Sequence, residues 1–197
     1  PPHLKCIFSP WGATDLYRDS IHHGGLIGNR WGKIWSSIID NIRYKSQLRE
    51  EVGAKKYNEM IAAALSDQDI KADPDLIEIL KNPEEGSNPL SADIILSSLD
   101  GPFWEKRRVN YDNISVPAYI GACWGIYGLH LPGAFRSWEK LNGPKKMILG
   151  PPVYLDRPLY QLQYESMRWF DYWLKGVDTG IMDEPPIRMF VMGTDDW

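Results

Sequence analysis

The pattern of apolar and polar positions is clearest between Val116 and Arg157. In order, this stretch reads as an apolar strand (VPAYIGACW), a loop, a helix (AFRSWEKL), a second strand (KKMILG) and a proline-rich turn (PPVYLDRP). A strand, a helix and a second strand joined by short loops predict a parallel βαβ unit and an α/β fold. In such folds, ligands and catalytic groups lie just beyond the carboxyl ends of the strands.

The chain before this unit predicts one further strand and then a long helical segment. Leu4–Ser9 is a short apolar run close to prolines, which favours a buried strand, and Trp11–Gly25 is a glycine-bounded loop. Apolar residues at helical spacing predict four helices: Trp31–Arg43, Gln47–Leu65 (weakened or split at Gly53), Asp73–Leu80 and Ser91–Leu99. The turn-rich stretch Asn82–Pro89 separates the last two. With no predicted strand from about residue 28 to 100, this region is typical of a helical cap inserted between core strands.

The chain after the βαβ unit predicts a helix, a linker and a strand. Pro158–Gly176 is the longest predicted helix, with a proline in its first turn and a glycine suited to its C-terminal cap. Val177–Pro186 predicts a linker, and Ile187–Met192 predicts a new strand. Because the sequence stops soon after this strand, at Trp197, we expect a further β-domain to begin there.

Composition and charge narrow the classes of function. The sequence is 43% hydrophobic and 24% charged, which is typical of a folded domain. Its net charge of −4 and its lack of a basic stripe argue against nucleic-acid binding. No apolar run reaches the roughly 20 residues that span a bilayer, so no membrane partner is expected. We expect a cytoplasmic protein without a cofactor.

The cysteines and histidines do not predict a metal site. Cys6 and Cys123 both fall in predicted buried strands, where small core residues are expected rather than a disulfide or a metal pair. The adjacent His22 and His23 point in different directions on any regular element. Their sequence favours a role in surface or loop packing over metal binding.

Familiar catalytic motifs are absent from the sequence. It contains no G-x-S-x-G turn, no glycine-rich phosphate loop, no H-E-x-x-H and no C-x-x-C. A serine hydrolase of the α/β type presents its serine on a tight turn before a helix and places its acid and base after later strands. The chain therefore offers strands for an acid and a base but no nucleophile turn.

Four segments carry a resemblance to a known family: PPHLKCIFSPWGATDLYRD, VPAYIGACWGIYGLHLPGAFRSWEKLNGPKKMILGPP, YESMRWFDYWLKG and PPIRMFVMG. They resemble the CocE/NonD hydrolases, the group of cocaine esterases, α-amino-acid ester hydrolases and X-prolyl dipeptidyl-peptidases. The resemblance implies a partial α/β-hydrolase fold made of late parallel strands, with an inserted helical cap and the start of a jelly-roll domain. It divides the chain into a core strand and loop (1–27), the cap (28–102), the late core (103–180) and the start of the jelly roll (181–197).

The resemblance also implies hydrolysis of ester or amide bonds, with a serine nucleophile outside this chain. The family's strand that corresponds to VPAYIGACW ends in G-W-x-D, whose Asp is the triad acid; here Trp124 matches the Trp and Ile126 takes the acid position. The next strand ends in G-P-W-x-H, whose His is the base; here Tyr154 takes its position. Isoleucine has no proton chemistry, and tyrosine, with a pKa near 10, is a poor base at neutral pH.

Other polar residues near these strands are candidates to replace the missing catalytic groups. His130 lies at about the right level to face a nucleophile, but it could equally cap the following helix or pack in its loop. Beyond Tyr154, Asp156 could orient a base or pair with Arg157. Asp15, in the loop after the N-terminal strand, is either a further candidate acid or a residue that bonds its own loop.

Aromatic residues are candidates for the substrate site. These are Trp31 and Trp35, which could wall an acyl or aromatic pocket from the cap, together with Trp124 and Tyr127. We expect a small ester or amide substrate, and no activity from this chain alone, because it lacks the nucleophile. We also expect the remainder of the hydrolase, or another chain, to cover an exposed apolar sheet edge. The alternative is a non-catalytic relative that binds a ligand or another subunit, because Ile126 and Tyr154 replace two triad residues.

Overall fold

A computed structural model describes residues 3–28, 44–126, 128–151 and 158–197 of the chain. The strands are β1 (Ile7–Ser9), β2 (His22–His23), β3 (Leu26–Ile27), β4 (Ala118–Cys123), β5 (Lys145–Gly150) and β6 (Ile187–Met189). The α-helices are α1 (Gln47–Val52), α2 (Ala54–Ser66), α3 (Gln68–Lys71), α4 (Pro74–Lys81), α5 (Asn88–Leu96), α6 (Pro102–Glu105), α7 (Leu131–Lys140) and α8 (Pro158–Lys175). The chain divides into two compact units: unit 1, Pro1–Ser20 with Arg108–Trp197, and unit 2, Ile21–Arg107.

Unit 1 is built on a parallel sheet with the strand order β1-β4-β5-β6. Strands β4 and β5 pair along their whole length, from Ala118 opposite Lys145 to Cys123 opposite Gly150. Every residue of β4 is buried, which explains its continuous apolar run. The predicted α/β class with a parallel βαβ unit is confirmed.

Alternate residues of the central strands supply two separate hydrophobic clusters. One cluster contains Ala118, Ile120 and Ala122 of β4 and packs against α7 through Ala134. The residue between the first two, Tyr119, belongs to the other cluster, which packs against α8 and includes Leu162 and Trp169. Burying each large apolar side chain contributes about 1.5–3 kcal/mol, so both layers stabilise the central strands.

The C-terminal segment joins the same sheet, because β6 pairs in parallel with β5. Lys146 of β5, although it carries a charge, is only 3% exposed, and its ammonium donates to the carbonyls of Ile181 (2.7 Å) and Pro185 (3.2 Å). These bonds fix the segment that leads into β6. Within the described residues, 187–189 therefore extend the α/β sheet, and the start of a jelly-roll domain at 181 stays a prediction.

The strand expected over Ile187–Met192 is shorter in the structure, because the chain turns at Val191. The N–H of Val191 donates to the carbonyl of Asp196 at 2.7 Å and closes a compact loop. Gly193 and Asp195 have positive φ angles of 99° and 54° in this loop. Glycine adopts such angles without steric penalty, and aspartate tolerates them better than most residues do.

The described residues of unit 2 are helical apart from the β2–β3 hairpin, and the predicted helix Trp31–Arg43 lies outside them. The predicted helix Gln47–Leu65 is split at Gly53, whose φ of 81° suits glycine and ends α1. Asp73 caps α4 by accepting the N–H of Asp75 at 2.9 Å, as its position before a proline indicates. The predicted break before the next helix was too long, because α5 already begins at Asn88. A role of this unit as a substrate cap over 28–102 stays a prediction.

A buried aspartate joins two helices of unit 2. Asp93, on α5, is fully buried and accepts hydrogen bonds from the Ser46 hydroxyl (2.5 Å) and from the N–H groups of Gln47 (2.9 Å) and Leu48 (3.2 Å). The carboxylate thereby satisfies donors at the N-terminus of α1 that the helix itself leaves unpaired.

Among the described residues, no helix is long and apolar enough to cross a membrane.

Candidate active site

The carboxyl ends of the four parallel strands form one edge of unit 1. Strand β1 leads into a loop that ends in a π-helical turn, Tyr17–Ile21, and β4 leads directly into a 3₁₀ turn, Trp124–Ile126. Helix α7 follows that second turn and begins at Leu131. This edge is where α/β proteins place their reactive groups, so each predicted site residue is located relative to it.

His130 lies directly before α7 and is 8% exposed. Its backbone carbonyl accepts the N–H of Ala134 at 3.0 Å, but its side chain makes no capping hydrogen bond to the helix. Burial lowers the pKa of His130 below its ordinary value of 6.5. The imidazole is therefore neutral at neutral pH, which is the form that can accept a proton.

The burial of His130 predicts a pH effect on stability. Its pKa is lower in the folded than in the unfolded chain, so the unfolded chain binds the proton more readily below about pH 6.5. The free energy of unfolding should therefore fall as the pH falls from 7.5 to 5. His130→Gln should make this fall shallower in urea titrations at the two pH values, whereas the exposed His23→Gln should leave it unchanged. If the free energy of unfolding of His130→Gln fell with pH as steeply as that of the wild type, this effect would be contradicted. Part of the pH dependence should remain in the variant, because burial also lowers the pKa of His22.

Asp15, the second candidate acid, is held by two arginines. It is 3% exposed, and its Oδ2 lies 2.8 Å from an Arg18 guanidinium nitrogen and 2.7 Å from Nε of Arg108. Burial alone would raise the pKa of Asp15, but the hydrogen bonds to Arg18 and the charges of Arg18 and Arg108 outweigh it and lower the pKa. The carboxylate therefore stays ionised and is engaged within its own loop and with Arg108, which favours a structural role.

Asp19 and Arg136 form an ion pair that the sequence did not indicate. Asp19 is fully buried, and its Oδ2 accepts from a guanidinium nitrogen of Arg136 on α7 at 2.7 Å. The same guanidinium nitrogen donates to the Thr14 hydroxyl at 2.9 Å. A Cβ on Gly133, in the first turn of α7, would lie 2.8 Å from the carbonyl oxygen of Gly12. The loop after β1 and the helix that follows His130 are therefore in direct contact and held by charge.

Trp124 directly follows β4, as predicted. Its indole N–H donates to the carbonyl of Phe190 at 2.7 Å, and its partly buried ring packs against the cluster that contains Ile120. The N–H is thus engaged by the protein itself, and a substrate contact by the ring stays a prediction.

The remaining predicted site residues lie outside the described residues: Trp31, Trp35, Tyr127, Tyr154 and Asp156. The backbone at the acid position, Ile126, closes the 3₁₀ turn.

A small apolar cleft opens beside the ends of β4 and β5. Its walls include Trp11, Cys123, Leu162 and Trp197, and its volume of about 280 Å³ includes space that is open to solvent. Apolar groups fit such a lining, and a charged group would lose its hydration there without a partner.

Cys6 and Cys123 are both buried free thiols, which confirms them as core residues. In the described part of the chain, no group of three or more His, Cys, Asp or Glu residues is arranged to hold a metal ion.

Comparisons with known proteins point to one family. The family model described as X-Pro dipeptidyl-peptidase (S15 family) matches residues 1–153. A Bacillus anthracis protein named as an Xaa-Pro dipeptidyl-peptidase is 32% identical over 90 residues, which cover 43% of this chain and 15% of that protein. A Mycobacterium bovis protein named as a serine esterase is 28% identical over 129 residues, or 58% of this chain and 20% of that protein.

A solved structure shares the fold. The crystal structure of a CocE/NonD family hydrolase from Staphylococcus aureus superposes with a TM-score of 0.60 at 21% sequence identity. The match covers 96% of this chain and 28% of that one. The chain thus spans less than a third of the length of the relatives described here.

Proposed function

Because this chain belongs to the X-Pro dipeptidyl-peptidase (S15) family, we propose that it is part of a serine-hydrolase-type acyl hydrolase. Its substrates are small molecules with ester or amide bonds, and its nucleophilic serine lies outside this chain. The observation that carries the proposal is the buried, neutral His130 at the start of α7, beside the carboxyl edge of the parallel sheet. That is the edge at which an α/β-hydrolase assembles its acid and base.

In the proposed reaction, His130 is the general base. Its neutral imidazole takes the proton of the serine hydroxyl as the serine oxygen bonds to the substrate carbonyl carbon. The protonated imidazole then gives that proton to the leaving alcohol or amine as the ester or amide bond breaks. Water, activated in the same way, releases the acyl group from the serine. Oxyanion-hole donors are supplied from outside this chain, as the nucleophile is.

Other residues of the chain hold the site in shape. The Asp19–Arg136 pair fixes α7, and with it the backbone that carries His130, against the loop after β1. Tyr154 stands at the family's base position after β5, and Asp156, two residues further along the chain, orients the base or pairs with Arg157. From the sequence, we propose Trp31 and Trp35 as residues of the substrate pocket. The remainder of the hydrolase, or another chain, covers the outer edge of β1.

A second candidate function is binding without catalysis. Two substitutions favour it: Ile126 stands at the position of the triad acid and Tyr154 at that of the base. A relative that has lost these groups would keep the fold and bind a ligand or another subunit. A G-x-S-x-G turn in the sequence that precedes Pro1 in the intact protein would favour the enzyme, and its absence would favour the binding protein.

Kinetics of the intact native protein test the proposal. We expect hydrolysis of p-nitrophenyl esters or Xaa-Pro p-nitroanilides, and a fall in kcat of about 10²-fold or more in His130→Ala, because a general base contributes about 10²–10⁴. The matched control is the exposed His23→Ala, which should keep the wild-type rate. An unchanged rate in His130→Ala would exclude this histidine as the base, and an intact protein without hydrolytic activity would favour the binding function.

A further inference from the structure

The indole of Trp124 connects two strands that are not neighbours in the sheet. Trp124 follows β4, and its N–H donates at 2.7 Å to the carbonyl of Phe190, which lies 66 positions away and follows β6. Strand β5 lies between β4 and β6. The indole therefore reaches across the carboxyl end of β5, at the point where the chain leaves Gly150.

The acceptor of this bond is itself held in place. The N–H of Phe190 donates to the carbonyl of Leu149 on β5 at 2.8 Å. The loop that follows folds back, so that the ring of Trp197 lies 5.6 Å from the Phe190 ring and under the guanidinium of Arg188 at 4.7 Å. A carbonyl fixed on both sides is a preorganised acceptor, so the indole meets a rigid partner rather than a mobile loop.

We propose that Trp124 is a positioning residue of the hydrolase, which ties the carboxyl ends of β4, β5 and β6 together. The turn that Trp124 begins leads to His130, the proposed general base at the start of α7. The tie holds this turn against the end of β6, and its catalytic consequence rests on the proposed function. This role differs from a substrate contact, because the N–H of the indole bonds the protein's own backbone.

The test replaces Trp124 with phenylalanine, which keeps an aromatic ring and removes the N–H. The matched control is Trp138→Phe. Trp138 is a second partly buried indole that packs against the same cluster. It lies toward the opposite end of the sheet, where its carbonyl accepts from the ammonium of Lys145 at the start of β5. Both variants remove an indole from the same apolar layer, but only Trp124→Phe removes the hydrogen bond to the carbonyl of Phe190.

In the intact native protein, Trp124→Phe should lower kcat for a p-nitrophenyl ester about tenfold or more, with KM within about twofold, because small misplacement of reacting groups slows chemistry more than binding. Trp138→Phe should leave both constants within about twofold. A change confined to KM would indicate a substrate contact and overturn the positioning role. An unchanged kcat would overturn it as well.

Hydrogen–deuterium exchange supplies a readout that does not need activity. In Trp124→Phe, but not in Trp138→Phe, backbone amides of 124–130 and 188–192 should exchange faster than in the wild type. Unchanged exchange in either loop would overturn the tie itself. If the wild-type protein hydrolyses no substrate, the proposed function is wrong, and so is the catalytic role of Trp124. The hydrogen–deuterium exchange measurement still decides whether the indole hydrogen bond ties the two loops together.

Discussion

Replacing Asp19 with alanine is expected to lower the free energy of unfolding by about 3–5 kcal/mol, the range for breaking a buried ion pair from one side. Asp19 is fully buried, and the carboxylate accepts from Arg136, from the Thr14 hydroxyl and from the N–H of Asp15. Its removal would leave the mostly buried Arg136 without this charge partner. Urea unfolding followed by tryptophan fluorescence measures the change.

An exposed pair provides the control for this variant. Lys175 and Asp171 approach to 2.6 Å on α8, with the lysine side chain 68% exposed. Lys175→Ala should change stability by less than about 1 kcal/mol, because water and salt screen surface pairs. If Asp19→Ala destabilised the protein no more than Lys175→Ala, the pair would not be the structural link between the β1 loop and α7.

The second large effect is expected from Trp169, the fully buried indole of α8. Its ring meets Tyr119 of β4 edge-on at 5.4 Å and Trp173 at 5.7 Å. Trp169→Ala should cost about 3–5 kcal/mol, because it removes a large buried surface and leaves a cavity that the neighbouring rings cannot fill completely. The fall in the urea midpoint should come with an unchanged m-value if the fold is retained.

Leu174→Ala on the same helix is the matched control. Leu174 is 56% exposed, so its truncation should stay within about 0.5 kcal/mol of the wild type. A similar effect of both changes would mean that α8 does not pack on the sheet through Trp169. That result would also contradict the assignment of a separate hydrophobic cluster between α8 and the sheet.

The elements of the sheet were predictable because their signals are local. The run VPAYIGACW and the run KKMILG are each short, apolar and bounded by turn residues, and both became strands that are buried after their first positions. Gly53 was predicted to weaken or split a helix, and its positive φ does split it. The predicted start of α5 at Ser91 was wrong, because the helix begins at Asn88. A proline such as Pro89 is found both in the first turn of a helix and in the turns that separate helices.

The contacts that organise the candidate site were not predictable, because they join distant positions. Asp19 and Arg136 are 117 positions apart, and a lone arginine on a helix carries no mark of its partner. The indole N–H of Trp124 donates to a backbone carbonyl 66 positions away, and a backbone acceptor cannot be recognised from the sequence. His130 was predicted from its place after the first strand, and only the structure adds that it is buried and neutral.

Labelling with a biotinylated fluorophosphonate tests the central claim most directly. This reagent bonds covalently to the activated serine of serine hydrolases, and digestion with mass spectrometry identifies the labelled residue. The intact native protein should be labelled at one serine outside residues 1–197, and the chain of 197 residues alone should not be labelled. Labelling of the isolated chain, or an intact protein that hydrolyses esters without being labelled, would contradict the claim.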